Sequence, residues 1–159
     1  MSEIDTYLAL QLDSPEKFRQ VIRDNIKDVA VEQFNRDHLQ LLEIFLRFHA
    51  VMENFRISLV NEAGWQVVEG VLVDLADYTH THLDAEESAM KAVGFPDLTS
   101  HLAAHNRFRL MVSAYQDVVS ARDPVKLFAL KYNLFDWFFK HINTLDVHYA
   151  PFLGGHHAD

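Results

Sequence analysis

The stretch from His82 to His105 constrains the fold more tightly than any other part of the chain, because it carries His82-x-x-x-Glu86 and His101-x-x-x-His105 within 24 residues. Residues four apart on an α-helix differ by only about 40° around its axis, so the members of each pair point the same way. Between the pairs, Gly94, Phe95, Pro96 and Asp97 spell a stop, a turn and a restart. The spacing therefore predicts an antiparallel helix hairpin whose facing sides bring three imidazoles and one carboxylate into one volume. That donor set suits iron or zinc.

The rest of the chain is patterned for long helices. Only five Gly and four Pro punctuate 159 residues, and 49% of the residues are apolar, enough for one sizeable core. Ser14-Pro15-Glu16 reads as an N-cap, a proline at the first helical position and a first-turn acid. The short amphipathic helix it opens has Phe18, Val21, Ile22 and Ile26 on one face, and Val29-Ala30-Val31 suits either more helix or an extended lead-in. Asn35 is expected to cap the first long helix, with His38 in its first turn beside a stripe of Leu41, Leu42, Phe45, Phe48, Met52, Phe55 and Leu59. After a break at Asn61 to Gly64, the second long helix shows Val71, Leu75, Tyr78, His82, Glu86, Met90 and Val93, and stops at Gly94. The third starts near Asp97 or Thr99 and shows His101, Leu102, His105, Phe108, Val112, Tyr115 and Val119. Asp123-Pro124 opens a fourth, apolar nearly all round through Leu134, Phe135, Trp137, Phe138, Phe139 and Ile142, which Pro151 is expected to end. Four long helices with short breaks predict an all-α fold, an up-down-up-down antiparallel four-helix bundle.

Composition narrows the function. There are no cysteines, which excludes disulfides, thiolate ligands and Cys nucleophiles, whereas ten histidines are many for this length. A formal charge of −9 argues against nucleic acid and anionic membranes as partners. The N-terminus shows no cationic start followed by an apolar run, and no uncharged apolar stretch is long enough to span a bilayer. A cytoplasmic protein without membrane insertion is expected.

The fourth helix adds two more donors, in Trp137-x-x-x-His141-Ile142-x-x-x-Asp146-x-x-Tyr149. With them, the order His38, His82-x-x-x-Glu86-Glu87, His101-x-x-x-His105 and His141-x-x-x-x-Asp146 resembles the signature of the hemerythrin family, and is most similar to its bacterial single-domain branch. Met90 after the Glu pair, Gly94-Phe95-Pro96 in the turn and Trp137 before His141 agree. The resemblance covers about residues 29 to 153, which implies a bundle domain there, an N-terminal extension over 1–28 and a tail over 154–159. It implies a metal centre of His38, His82, Glu86, His101, His105, His141 and Asp146, holding two iron ions bridged by an oxo or hydroxo group, Glu86 and Asp146. With those bridges in place, five histidines divide as three and two, so one iron is six-coordinate and the other keeps an open position. The resemblance puts His101, His105 and His141 on the filled iron and His38 and His82 on the open one, where dioxygen would be bound as a hydroperoxide. Phe34, Leu41, Leu42, Trp137, Phe138 and Ile142, near these donors in sequence, are expected to wall the open iron from water.

The role implied is reversible dioxygen binding by a carrier, store or supplier, not an enzyme. An oxygen or redox sensor and a di-iron oxidoreductase handling peroxide or nitric oxide are the competing readings. Oxygen-activating di-iron bundles use several carboxylates with Glu-x-x-His pairs, and this set is richer in histidine. No protein partner is implied, and monomer and homo-oligomer both stay open. One spacing conflicts with a regular helix: His141 and Asp146 are five apart, about 140° around the axis, which predicts a π-bulge between them.

Other residues have ordinary readings. His49 lies about 16 Å along the helix from His38, His80 is on the side opposite His82, His148 is about two turns past His141, and His156 and His157 belong to the tail. Tyr149 reads as a buried cap at the bundle end, and Glu87 either faces solvent or braces a ligand by hydrogen bonding. The chain departs from the family pattern in having Asn35 in place of Asp, Leu83 in place of Phe, and no Trp upstream of the first long helix. The extension before residue 29 is longer than usual, and a lid over one bundle end, a dimer surface and a partner helix are its candidate uses.

Overall fold

A computed structural model describes residues 15–57 and 61–154, and every regular element among them is helical. Helix α1 spans Pro15–Asn25, α2 Glu32–Ile57, α3 Glu62–Ala92, α4 Leu98–Ser120 and α5 Pro124–His141. A π-helical turn, Ile142–Asp146, joins α5 to the last short helix, α6, Val147–Leu153. Helix α2 packs on α3, α3 on α4, α4 on α5 and α5 back on α2, which gives a helical bundle. Its interior is filled by the expected stripes, with Phe45, Phe48, Val71, Leu75, Phe108, Leu134 and Phe138 fully enclosed, each contributing roughly 1.5–3 kcal/mol through burial. Among the described residues no helix is long and apolar enough to cross a membrane. The readings made for Ser14, Leu59, His156 and His157 lie outside the described residues.

Local chemistry sets the helix ends that aim the site. Helix α3 stops in a Schellman motif: Gly94 takes φ +65°, its N–H donates to Lys91 O, and the Phe95 N–H donates to Met90 O at 3.0 Å. Helix α4 ends the same way with Arg122 at φ +50°, and the Asp123 side chain then caps α5 by accepting from the N–H groups of Val125 and Lys126. Asn61 caps α3 through the Gly64 N–H at 2.9 Å, and Gly64 is required there because a Cβ would fall 2.2 Å from the Phe55 ring.

Two boundaries differ from the sequence reading. Asn35 is not the cap of α2, which starts at Glu32. One turn inside the helix, its side-chain oxygen accepts the Val29 N–H at 3.0 Å, so it ties down the lead-in, and His38 moves into the second turn. Pro151 does not end the last helix but sits inside α6, where the missing N–H removes one ladder bond shortly before the helix finishes.

Helix α1 lies against α2. Phe18 and Ile22 are buried, and Arg19 and Arg23 both reach Glu43, at 3.3 and 3.0 Å. Phe18 stacks on His49, whose Nδ1 accepts from the buried Lys131 ammonium at 3.0 Å. Burial, reinforced by the charges of Lys131 and Arg56, pushes His49 down to about 3, so it stays a neutral acceptor. The segment that follows α1 is non-helical through Val29-Ala30-Val31 and bends at Ala30, which takes φ +61°. It is fastened to the π-turn: the Lys27 N–H donates to Asn143 Oδ1 at 2.9 Å, Asn143 Nδ2 donates to Asn25 O at 2.9 Å, and Lys27 Nζ donates to Asn143 O at 3.2 Å. The Asn143→Ala variant is expected to lose about 1–2 kcal/mol of stability in urea unfolding, from two side-chain hydrogen bonds of ordinary strength; an unchanged midpoint would show that this clamp does not hold the segment.

Candidate metal centre

Each long helix delivers its donors to one volume. Helix α2 gives His38, α3 gives His82 and Glu86, α4 gives His101 and His105, α5 gives His141, and the π-turn gives Asp146; all seven are buried. Two groups have atoms close enough to hold a metal ion: Glu86, His101, His105, His141 and Asp146, and His38, His82 and Glu86. The carboxylates straddle them. Glu86 Oε2 lies 3.3 Å from His105 Nε2, while Oε1 lies 3.3 Å from His82 Nε2 and 3.6 Å from His38 Nε2. Asp146 Oδ1 lies 2.9 Å from His141 Nε2 and 3.2 Å from His101 Nε2, while Oδ2 lies 3.4 Å from His38 Nε2.

The π-turn is what allows Asp146 to take part. On a regular helix it would point well away from His141, and the wider winding over Ile142–Asp146 brings it back over the same face. The bulge predicted from the five-residue spacing is present.

The donor set fits a cation. His38 Nε2, His82 Nε2, Glu86 Oε2 and both oxygens of Asp146 are buried with no hydrogen-bond partner, and unsatisfied buried polar atoms of this kind are costly unless something binds them. The Nε2 atoms of His101 and His105 are 3.1 Å apart, and those of His105 and His141 3.0 Å, so several lone pairs converge on shared points. The protein's own charges polarise the site. Burial opposes ionisation of Glu86, yet His82, His105 and His38 hold its carboxyl well below the usual range. For Asp146, burial and the Glu86 charge push upward, but His141 and His101 prevail and hold it down. Burial likewise opposes charging of His82, but Glu86 and Asp37 raise it to about 9, and Asp146 and Glu86 raise His38 in the same way. His141 goes the other way, because burial outweighs the attraction of Asp146.

Three bracing groups lie behind the donors. Asp37 Oδ2 is 2.9 Å from His82 Nδ1, and Glu87 Oε1 is 2.9 Å from His105 Nδ1; Glu87 in turn accepts from Arg109 at 2.8 Å. Tyr149 donates its hydroxyl to Glu86 Oε1, and burial with the Glu86 charge raises its pKa, so the phenol remains a donor. Glu87 is thus a brace rather than a solvated acid. The sequence reading missed Asp37 and reduced Tyr149 to a packing role. Tyr149 lies three residues past Asp146 and so on its side of the helix, a signal that was there to use. Asp37 carries none, since it is adjacent to His38 and a neighbouring residue on a helix points about 100° away.

Among the expected wall residues, Phe34 meets the His82 ring edge-on at 5.5 Å, and Leu41, Leu42, Phe138 and Ile142 are buried. Trp137 is half-buried and stacks on His141 at 4.2 Å, on the three-imidazole side of the cluster rather than beside His38 and His82. His49 is occupied by Lys131, and His80 and His148 are exposed.

The family model described as the hemerythrin HHE cation binding domain matches residues 29–153. Proteins named bacteriohemerythrin are similar to this chain. The one from Stenotrophomonas maltophilia is 24% identical over 129 residues, covering 81% of this chain and 78% of its own length. The one from Pseudomonas aeruginosa is 25% identical over 123 residues, covering 77% and 74%. No solved structure matches the chain at a significant level.

Removing a brace should weaken the metal without unfolding the bundle. Asp37→Asn is expected to lower metal affinity by roughly 10–100-fold, read by competition with a chelator while the helical circular dichroism is kept. An affinity equal to the parent's would show that Asp37 does not brace His82.

Proposed function

We propose, from the premise that this chain belongs to the hemerythrin family, that its buried donors hold two iron ions and that the centre binds dioxygen reversibly, as a carrier, store or supplier and not as an enzyme. One observation carries this reading: Glu86 and Asp146 each turn one oxygen toward His38 and the other toward the three-imidazole group, as two bridging carboxylates would. On this reading His101, His105 and His141 serve one iron, and His38 and His82 serve the other, which has fewer protein ligands. When bound, the iron pair supplies two electrons and a free coordination position for dioxygen.

The chain's own residues hold and shield that position. Tyr149 fixes the tilt of Glu86 by donating to Oε1. Asp37 and Glu87 orient His82 and His105 through their Nδ1 atoms, which fixes the tautomer and leaves Nε2 free to ligate. Phe34 packs against both His82 and Tyr149; with Leu41, Leu42, Phe138 and Ile142 it keeps water and protons from the His38 side, and Trp137 covers His141. The reading takes residues 29–153 as the functional domain, its long helices running up-down-up-down, working in the cytoplasm without nucleic acid or membrane insertion.

Reduced, iron-loaded protein is expected to develop a visible charge-transfer absorption in air that fades under argon over repeated cycles. Immediate and irreversible conversion to a ferric spectrum would overturn the carrier reading in favour of a sensor or an oxidoreductase. Phe34→Ala should raise the rate of that irreversible conversion several-fold, followed at one wavelength in air-saturated buffer; an unchanged rate would remove Phe34 from the barrier.

A further inference from the structure

Two oxidisable rings lie nearly flat on imidazoles of the metal centre. Tyr78 stacks on His82 with centroids 4.6 Å apart and planes at 25°, and Trp137 stacks on His141 at 4.2 Å and 16°. Both contacts join residues four apart on one helix, the spacing that makes side chains neighbours. A third ring, Tyr149, is tilted 43° to His101 at 5.8 Å. Electron transfer weakens steeply with distance. Rings in stacking contact with ligands are therefore the first to give up electrons when the metal behind them becomes strongly oxidising.

What separates the three is the fate of the oxidised ring. Tyr78 and Tyr149 are buried, and each is a phenol, which sheds its proton along with an electron. Neither is placed for water to trap it once oxidised. Trp137 differs in both respects. An indole can lose an electron while keeping its N–H, and the Trp137 side chain is only half-buried, in the wall of a groove between α4 and α5 that Ala104 and Met111 also line. Its second face is packed on the buried Phe108, at 4.1 Å and 23°. With both faces covered, the part of the indole that meets solvent is an edge. The ring thus joins a metal-facing imidazole to water, clamped in place by a phenyl ring that is far harder to oxidise.

We propose that Trp137 is the sacrificial outlet of the metal centre: when hydrogen peroxide over-oxidises the centre, the indole supplies the electrons through His141 and is itself oxygenated, which spares the histidine ligands. This rests on the function proposed above only in requiring that the bound metal be iron. Two electrons pass from the indole to the centre, where the O–O bond of the peroxide breaks and, with two protons, two waters form. One water then adds at the exposed edge of the oxidised ring, a C–O bond replaces a C–H bond, and two protons are released. The balance is one peroxide and one indole giving one hydroxyindole and one water.

Iron-loaded full chain, its loading shown by the ferric absorption, is treated with a small excess of hydrogen peroxide, digested and read by peptide mass spectrometry. Trp137 is expected to gain oxygen, while Trp65, buried in α3 about 25 Å along the helix from His82, stays unmodified. Zinc-loaded protein, whose metal has no redox chemistry, should leave Trp137 intact. In Trp137→Phe, checked for helical circular dichroism, the oxygen should move to His101, His105 or His141, and iron should be released several-fold faster. Equal oxidation of Trp137 with zinc would overturn the proposal, because exposure alone would then account for it. Protection by excess ethanol, a scavenger of free hydroxyl radical, would do the same by revealing a diffusing oxidant. Oxidation of Tyr78 or of the ligands while Trp137 stays intact, or parent-like survival of the ligands in a folded Trp137→Phe variant, would also sink it. Protein that takes up no iron fails at the absorption, before peroxide is added, and brings down both readings. Loss of the air and argon cycle in iron-loaded protein leaves the peroxide result untouched, so the carrier reading and the outlet fall separately.

Discussion

Two carboxylates, Glu86 and Asp146, sit at the centre of the bundle, fully buried and, among the described residues, paired with no lysine or arginine. Taking an ion of that kind out of water costs several kcal/mol unless close partners offset it. The partners are imidazoles from all four long helices, together with one phenol from α6. Every long helix is therefore committed to the same point, and its rotation about its own axis is fixed by where its histidine must face. The apolar stripes supply the driving force for packing, but the buried acids decide which way each stripe is turned.

That commitment forces the one departure from regular helix. His141 and Asp146 serve the same cluster although a regular winding would separate them, so the backbone opens into a π-turn. Such a turn disrupts the ordinary hydrogen-bond ladder, and here the surrounding structure compensates. Lys27 takes the Asn143 carbonyl, and the Asn143 side chain closes two further bonds to the segment after α1. Asn25 and Lys27 thus brace the backbone that aims Asp146. Helix α1 is held in turn by Phe18 over His49 and by the ion pairs to Glu43.

Much of this was legible because helices write their geometry into residue spacing. The i, i+4 pairs gave the direction of His82 with Glu86 and of His101 with His105. Gly94 marked the end of α3 because only a residue at ease with positive φ closes a Schellman motif cheaply. The misfit at His141 and Asp146 was itself informative, since a spacing wrong for an α-helix and right for a shared target leaves few alternatives. Asn35 misled because an amide side chain fits both an N-cap and an anchor for the preceding strand of chain, and the two differ only in which N–H comes within reach. Pro151 misled because a proline near a helix end removes a single bond, too little to stop the last turn.

The sequence by itself determined the long helices, their buried faces and the shared direction of His82 with Glu86 and of His101 with His105, because each of those follows from periodicity along one chain segment. Only the tertiary structure decided that each carboxylate turns one oxygen to His38 and the other to the three-imidazole group, that Asp37 and Tyr149 brace His82 and Glu86, and that Trp137 stacks on His141. Those relations join residues on different helices, whose mutual rotation and offset depend on packing across the whole core. No local spacing encodes them.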